Sequence, residues 1–382
     1  KIRVMHLSKA ELGRTLAKST TWNQNPLFKR VHEDVYTTFG GEPFACLVGD
    51  YTFDHSPADV ALLRDLARIC AASHAPFMAA ASPALLGLQS WRELARFRPS
   101  PKRFVTDEYL AWRRLSESDE SRHLAFAMPR FLARAPYGGN GTEVEDFDYQ
   151  EDVGEGDPDR HPWCNAAYAM AVNITRAFKL YGWCARICGI ESGGAVEGLP
   201  THRFPTRAGE IDSKCPVEIA LDDRVEAELA ALGLMPLLHR KNSDFAAFIG
   251  ACSLHKPFQY DDPATTASAR LAARLPYLLA CNRFVQVIKC LVRDRVGSFV
   301  NVSEMERSLQ RWIANYVDPE PDVSSDARAA RPLAAADVRV DEVEGNPGYY
   351  ALCCWLRPHY QLEGLSVSLR VVSQLPAAKA LM

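Results

Sequence analysis

The chain has 382 residues, with 44 Lys and Arg against 47 Asp and Glu and a formal net charge of −3. That near balance removes any overall electrostatic case for binding nucleic acid or an anionic membrane, so a charge-driven partner must be met by a local patch. Hydrophobic residues at 47% and charged residues at 24% are ordinary for a globular protein, and the length allows two or three domains whose cores need no disulfide or metal staples.

In chain order, Ser8-Lys9-Ala10-Glu11 has the form of a capping box and opens a helix to about Ala17. A second helix follows Pro26, with Leu27, Val31 and Tyr36 recurring at helical spacing. After Gly40-Gly41 the stretch Pro43 to Tyr51 reads as a buried strand, Ser56-Pro57 starts a helix carrying Val60, Leu63, Ala67 and Cys70, and Ala75 to Ala81 reads as the next strand. Strand–helix–strand implies a parallel pair. Thr106 to Leu115 has helical character, and Leu124 to Phe131 is a further strand. Between residues 143 and 159, nine of seventeen residues are Asp or Glu, which marks an exposed loop or a domain edge.

Asn165 to Cys188 is a long apolar helical pattern, and Gly189 to Pro200 is a glycine-rich loop. Strands are expected at Val217 to Leu221 and Met235 to Leu238, flanking a helix from Asp222 to Ala231, with another at Phe245 to Ala251. Helices at Thr266 to Leu279 and Leu279 to Arg295 could run on through Pro276. Ser303 to Tyr316 is amphipathic, with Met305, Leu309, Trp312 and Ile313 on one side. A linker at Pro319 to Ser325 precedes three strands: Ala336 to Val343, Tyr349 to Leu356 and Leu365 to Leu375. In the last, Leu365, Val367, Leu369 and Val371 fall on one face.

No catalytic or metal signature emerges, and no cofactor is expected. Gly189-Ile-Glu-Ser-Gly-Gly lacks the spacing of a nucleophile elbow, a P-loop or a dinucleotide-binding loop, and reads as a structural turn. Cys184 and Cys188 stand one helical turn apart without a second pair, and Cys353-Cys354 would face opposite ways in a strand. The ten histidines are scattered, and the acidic loop lacks EF-hand spacing. Most of the eleven cysteines, among them Cys46, Cys70, Cys252, Cys281 and Cys290, sit in apolar surroundings and suit a reducing, cytoplasmic compartment. No apolar run reaches the ~20 residues of a bilayer span. The Lys-Ile-Arg-Val-Met opening is no signal peptide and suggests a start inside a longer gene product.

Two features point instead to assembly. Arg328 and Arg331, with Arg339 beyond, cluster around a short helix at Asp326 to Ala330, either as a solvated face or as a contact. The strand at Leu365 to Leu375 carries one internal charge, Arg370, and ends a few residues before the chain does. It is either the last strand of its own domain or an arm that completes a neighbour's sheet.

Five blocks then carry a resemblance: Phe39 to Ser82, Ala127 to Tyr137 (AMPRFLARAPY), Phe178 to Pro200 (FKLYGWCARICGIESGGAVEGLP), Met235 to Gly250 (MPLLHRKNSDFAAFIG) and Leu356 to Val372 (LRPHYQLEGLSVSLRVV). In content and order they resemble the large subunit of the type VI secretion contractile sheath, the TssC/VipB family. The resemblance implies an α/β, phage-tail-sheath-like fold whose C-terminal strands are shared with neighbouring subunits. The expected division is a lead-in at 1–40, a sheath core at 41–135 and 280–382, and an inserted domain at 136–279. It implies a structural, non-enzymatic role in the cytoplasm of a Gram-negative bacterium. The implied partners are a small sheath subunit (TssB/VipA), further copies in a helical sheath, the Hcp inner tube, the baseplate and the ClpV unfoldase. The unfoldase site is expected in a family segment ahead of Lys1. No nucleic acid and no membrane insertion are implied. Arg328 and Arg331 are then expected to face the tube, and Leu365, Val367, Leu369 and Val371 to form the inter-subunit strand. The alternatives are the sheath of a phage tail or tailocin, and an enzyme with its site at Gly189 to Gly198 around Ser192.

Overall fold

The computed structural model describes residues 1–19, 21–138, 142–153, 160–201, 203–205, 211–213, 215–239, 245–295, 302–320, 324–342, 350–359 and 369–375. The Ser8 capping box forms as expected and opens α1 (Lys9–Ala17). Asn25 caps the next helical run, with Pro26 in its first turn: α2 (Pro26–Phe28), a π-helical turn at Lys29–Glu33, and α3 (Asp34–Tyr36). Strand β1 (Leu47–Phe53) leads through the Ser56 cap into α4 (Pro57–Ser73), which ends where His74 takes the left-handed conformation. β2 (Phe77–Ala81) follows, then a run of 3₁₀ turns, α5 (Leu110–Glu117) and β3 (Leu124–Met128). Short strands β4 (Phe131–Leu132) and β5 (Trp163–Cys164) precede α6 (Ala166–Tyr181), capped by Asn165, and β6 (Ala195–Val196). A small hairpin of β7 (Arg203–Pro205) and β8 (Ile211–Ser213) comes before α7 (Asp223–Ala231), β9 (Leu234–His239) and β10 (Ala246–Phe248). The C-terminal part holds α8 (Pro263–Ala272), α9 (Leu275–Asp294), α10 (Val302–Ala314), α11 (Ser325–Ala330), β11 (Leu333–Glu342), β12 (Tyr350–Pro358) and β13 (Leu369–Leu375).

The fold is mixed α/β around a six-stranded sheet in the order β1-β2-β3-β9-β10-β6. The first four strands are parallel, and β10 and β6 add in antiparallel sense. Period-two alternation sends Phe77, Leu124, Phe126 and Met128 into one core with α1, α4 and α5, and sends Met78, Ala125 and Ala127 into another with α6 and the start of α9. Strands from 47–128 and from 195–248 therefore share one sheet. A second, antiparallel sheet of β11-β12-β13 encloses a third core with the distal part of α9 and the apolar side of α10.

Several expected boundaries shift, each for a local reason. β1 starts at Leu47, not Pro43. The strand expected from Leu124 to Phe131 is cut by Pro129, which has no N–H to give a ladder. The helix expected to reach Cys188 stops at Tyr181, where Gly182 adopts the left-handed cap conformation. The strand expected at Val217 to Leu221 reduces to a single bridge between Val217 and Phe131, because Glu218 turns in to pair with Arg130 at 2.8 Å. The helix break lies at Ala273–Arg274, while Pro276 sits in the first turn of α9, where no intrahelical donor is required. α9 is also twenty residues long and apolar enough by length and composition to cross a membrane, contrary to the sequence reading, although most of it is buried inside the fold.

One face of α9 fastens it to the first layer. Gln286, Lys289 and Arg293 recur at i, i+3 and i+7 and so project together. The Gln286 amide donates to the carbonyls of Phe44, Ser73 and His74 at 2.7, 3.3 and 2.8 Å. Lys289 Nζ lies 2.9 Å from His74 Nε2 and 5.1 Å from the Tyr36 ring centre. Arg293 donates to the carbonyls of Val35 and, at 2.9 Å, Gly41. Tyr36 Oη adds a bond to the Ser73 carbonyl at 3.0 Å. Two helix C-termini, those of α3 and α4, thus meet a pair of cations, the sign that complements their dipoles. Gln286 is 1% exposed, so Gln286→Ala leaves buried carbonyls without their donor. It should destabilise the chain by about 1–3 kcal/mol in chemical denaturation, whereas an alanine at exposed Arg307 should change little.

Candidate assembly surface

The residues that a catalytic reading would need are structural. Cys184 and Cys188 lie beyond α6 rather than one helical turn apart, and burial pushes the Cys184 thiol up to about 11. Cys353 and Cys354 alternate across β12, with Cys354 inside the third core and its thiol pushed up to about 12 by burial. The glycine loop is stitched to the sheet: Gly189 N donates to Phe248 O at 2.8 Å and Phe248 N to Gly194 O at 3.0 Å. From beneath, Asn173 Nδ2 donates to Gly194 O at 2.9 Å and Arg176 to Gly193 O at 2.8 Å. A Cβ on Gly194 would come within 2.3 Å of Phe248 O, so glycine is required there for close packing. His55 stacks on Tyr109 at 4.2 Å and reaches Glu108 at 2.9 Å. In the acidic loop, Arg134 holds Glu151 with bonds of 2.7 and 3.2 Å and keeps its carboxyl below the usual range. Among the described residues, no three His, Cys, Asp or Glu side chains converge as metal ligands would.

The residues expected to serve assembly lie on and beside the β11–β13 sheet. α11 forms where the sequence suggested a short helix, with Ser324 as its cap and Ala329 buried. Arg328 sits half-buried on it beside His359, whose imidazole is held below its ordinary range by burial and by that cation. Arg331, at the helix end, is exposed and lies 3.8 Å from Asp318. Arg339 stands apart on β11 and pairs with Asp337 at 3.1 Å. Backbone bonds from His359 N to Pro332 O and from Asp318 N to Leu333 O tie α11 to the end of the sheet where β12 finishes. Sequence reading had no means to find the His359 and Asp318 contacts, since neither follows from local spacing.

Of the four residues expected on the terminal strand, Leu365 and Val367 lie outside the described residues. Leu369 and Val371 are on β13, in register with Leu356 and Cys354 of β12. β13 occupies the sheet edge: one side pairs with β12, and no described strand pairs with the other.

Two family models together match most of the chain. Residues 1–255 match the EvpB/VC_A0108 tail sheath N-terminal domain, and residues 264–375 match the EvpB/VC_A0108 tail sheath gpW/gp25-like domain. The chain belongs to the VipB tail sheath family. It is 60% identical over 382 residues to the type VI secretion system sheath protein TssC1 of Pseudomonas aeruginosa, covering 99% of this chain and 77% of that one. A chain of the anti-feeding prophage baseplate aligns with a TM-score of 0.41 at 9% identity, over 85% of this chain and 64% of that chain; a likeness this low carries no argument. VipB-family proteins are structural sheath subunits, and this chain is a type VI sheath protein of that kind.

The α9 clamp now acquires a place in the family architecture. It joins the first matched region, which holds α3 and α4, to the second, which holds α9. Three imidazoles line this seam. Burial and Lys289 lower His32 from 6.5 to about 4, burial lowers His123 from 6.5 to about 4, and burial with Lys289 holds His74 well below 6.5. The unfolded chain takes up these protons as the pH falls through 6.5, whereas in the folded chain His32 and His123 do so only near 4 and His74 well below 6.5. Their contribution is therefore complete above 6.5 and is lost as the pH falls toward 4. Denaturation midpoints should fall between pH 6.5 and 4.5, and His123→Asn should flatten that dependence.

Proposed function

We propose that this chain is the large subunit of a type VI secretion contractile sheath. It pairs with a smaller subunit (TssB/VipA type), polymerises around an Hcp-type inner tube and contracts to drive the tube outward. The observation that carries this reading is the match of both sheath family models, in order, over residues 1–255 and 264–375. The edge position of β13 among the described strands supports it further, since a strand side with no partner in its own chain can accept a strand from another. In this reading Leu365, Val367, Leu369 and Val371 belong to the inter-subunit strand, and the assembly is cytoplasmic, seated on a baseplate and recycled by a ClpV-type unfoldase. The proposed division keeps 41–135 and 280–382 as sheath core and 136–279 as the inserted part, which then lends β6, β9 and β10 to the core's own sheet.

Contraction needs no nucleotide at the subunit in this mechanism. Small free-energy differences between two packings of each inter-subunit contact, summed along the polymer, supply the work, and linked strands keep the lattice continuous. Co-expression with the small subunit followed by negative-stain microscopy should yield tubes with a cogwheel cross-section. Soluble heterodimers that never polymerise would count against the reading.

The tube-facing assignment goes to Arg328 and Arg331 on α11. Reversing both (Arg328→Glu with Arg331→Glu) should weaken tube retention by roughly tenfold, ~1.4 kcal/mol, in low-salt buffer, with a smaller effect at high salt, where screening is strong. Unchanged co-purification of tube with extended sheath would remove the assignment.

A further inference from the structure

α11 has six residues, too few to hold a helix by itself. Its cap bond, Ser324 Oγ accepting from Ala327 N at 3.3 Å, and the burial of Ala329 are local anchors. The remaining anchor comes from far away in sequence. Arg186 donates from Nη1 to the Asp326 carboxylate and, at 2.8 Å, to Tyr181 Oη. Tyr181 Oη lies 3.1 Å from the same Asp326 oxygen and donates to it. The second guanidinium arm, Nη2, donates to Glu191 O at 2.8 Å, inside the glycine loop. Arg186 is 18% exposed and Asp326 75%. The ion pair is thus held from its buried side, with the guanidinium already oriented before Asp326 arrives.

That orientation explains the glycine loop, which the sequence shows as a motif without chemistry. Gly193 takes φ +91°, and a Cβ there would come within 2.4 Å of Arg186 O. The loop can therefore close over the Arg186 backbone and offer Glu191 O to its side chain only with glycine at this position. The same loop is bonded to β10 through Gly189 and Gly194. A chain of contacts runs from the central sheet, through the loop, to Arg186, to Asp326 and to α11. It spans the two matched sheath regions, since Arg186 lies in the first and Asp326 in the second.

We propose that Arg186, steadied by Tyr181 and the glycine loop, is a positioning residue that latches Asp326 and so fixes α11 in the orientation that presents Arg328 and Arg331. The latch deepens the sheath reading at its tube-facing helix, and its consequence for the tube rests on that reading. An exposed ion pair is ordinarily worth little. This one differs because two donors, Arg186 Nη1 and Tyr181 Oη, converge on one carboxylate oxygen, and the guanidinium is mostly buried.

Hydrogen exchange of the full chain tests the latch without a tube. In Asp326→Asn and in Arg186→Gln, amides of 324–331 should exchange about tenfold faster, equivalent to ~1.4 kcal/mol of lost protection, while those of β11 and β12 stay unchanged. The conservative Asp326→Glu should remain close to wild type. Unchanged exchange in both disrupting variants overturns the latch. So does Asp326→Glu exchanging as fast as Asp326→Asn, because the charge would then be irrelevant. In assembled sheaths, Asp326→Asn should release tube in the same direction as the Arg328/Arg331 double reversal. If the double reversal releases tube and Asp326→Asn does not, the positioning role is overturned. If the double reversal itself leaves the tube bound, the tube assignment has failed, and exchange alone decides the latch.

Discussion

Everything in this chain hangs on α9, a helix that belongs to two cores at once. Its first turn places Leu275, Leu278 and Leu279 under the central sheet beside α6, and its later turns place Phe284, Ile288 and Val292 against α10, β11 and β12. Trp183, just past α6, stacks on Phe284 at 4.0 Å and extends the first region into the third core. Between these apolar contacts runs the polar stripe of Gln286, Lys289 and Arg293. Hydrophobic burial supplies adhesion but little direction. The stripe supplies direction, because Gln286 and Arg293 must meet particular carbonyls at and near the ends of α3 and α4, and Lys289 must meet the His74 imidazole. Sliding α9 by one turn would strand those carbonyls and bury unpaired cations, both costly.

Much of this architecture is legible in the sequence, where local chemistry is strong. The Ser8–Glu11 box, the Ser56-Pro57 start and the alternation of Phe77, Met78, Ala79 and Ala80 each place an element within a few residues of where it lies. The short helix after the 319–325 linker and the edge strand at the C-terminal end are legible for the same reason. Errors fall where a distant partner outweighs local preference. Val217 to Leu221 has a strand-like composition, yet Glu218 is drawn in by Arg130, 88 residues away. Asn165 to Cys188 keeps an apolar pattern throughout, yet one left-handed glycine ends the helix seven residues early.

The candidate site shows the same division. Arg328 and Arg331 stand out by composition, but what surrounds them does not. His359, Asp318 and the Arg186–Asp326 contact come from elements 13 to 140 residues away, and no spacing rule reaches that far. The glycine loop is the sharper case. Its sequence resembles no phosphate or nucleophile motif, and a structural turn is the right reading, yet that reading leaves unsaid what the turn is for. Close approach of backbone to backbone at Gly193 and Gly194 is a property of the folded pair, Arg186 and Phe248, that each glycine meets.

A subunit of a sheath that contracts as proposed would have to transmit force, and the distribution of interactions here bears on how it would do so. The two sheath regions are joined by a shared apolar helix, by hydrogen bonds to helix ends and by the Arg186–Asp326 contact, so relative motion between them would have to break several buried polar bonds together. Interiors packed in this way have few intermediate arrangements and deform poorly under small loads. Among the described residues, the outer side of β13 has no strand partner. In a polymer that shortens, compliance belongs where contacts can be exchanged without unpairing buried groups. That condition is met at the edge strand, and it is not met at α9 or at the latched α11. If the sheath contracts as proposed, the subunit moves as one block, and the change in packing is carried by the strand at its margin.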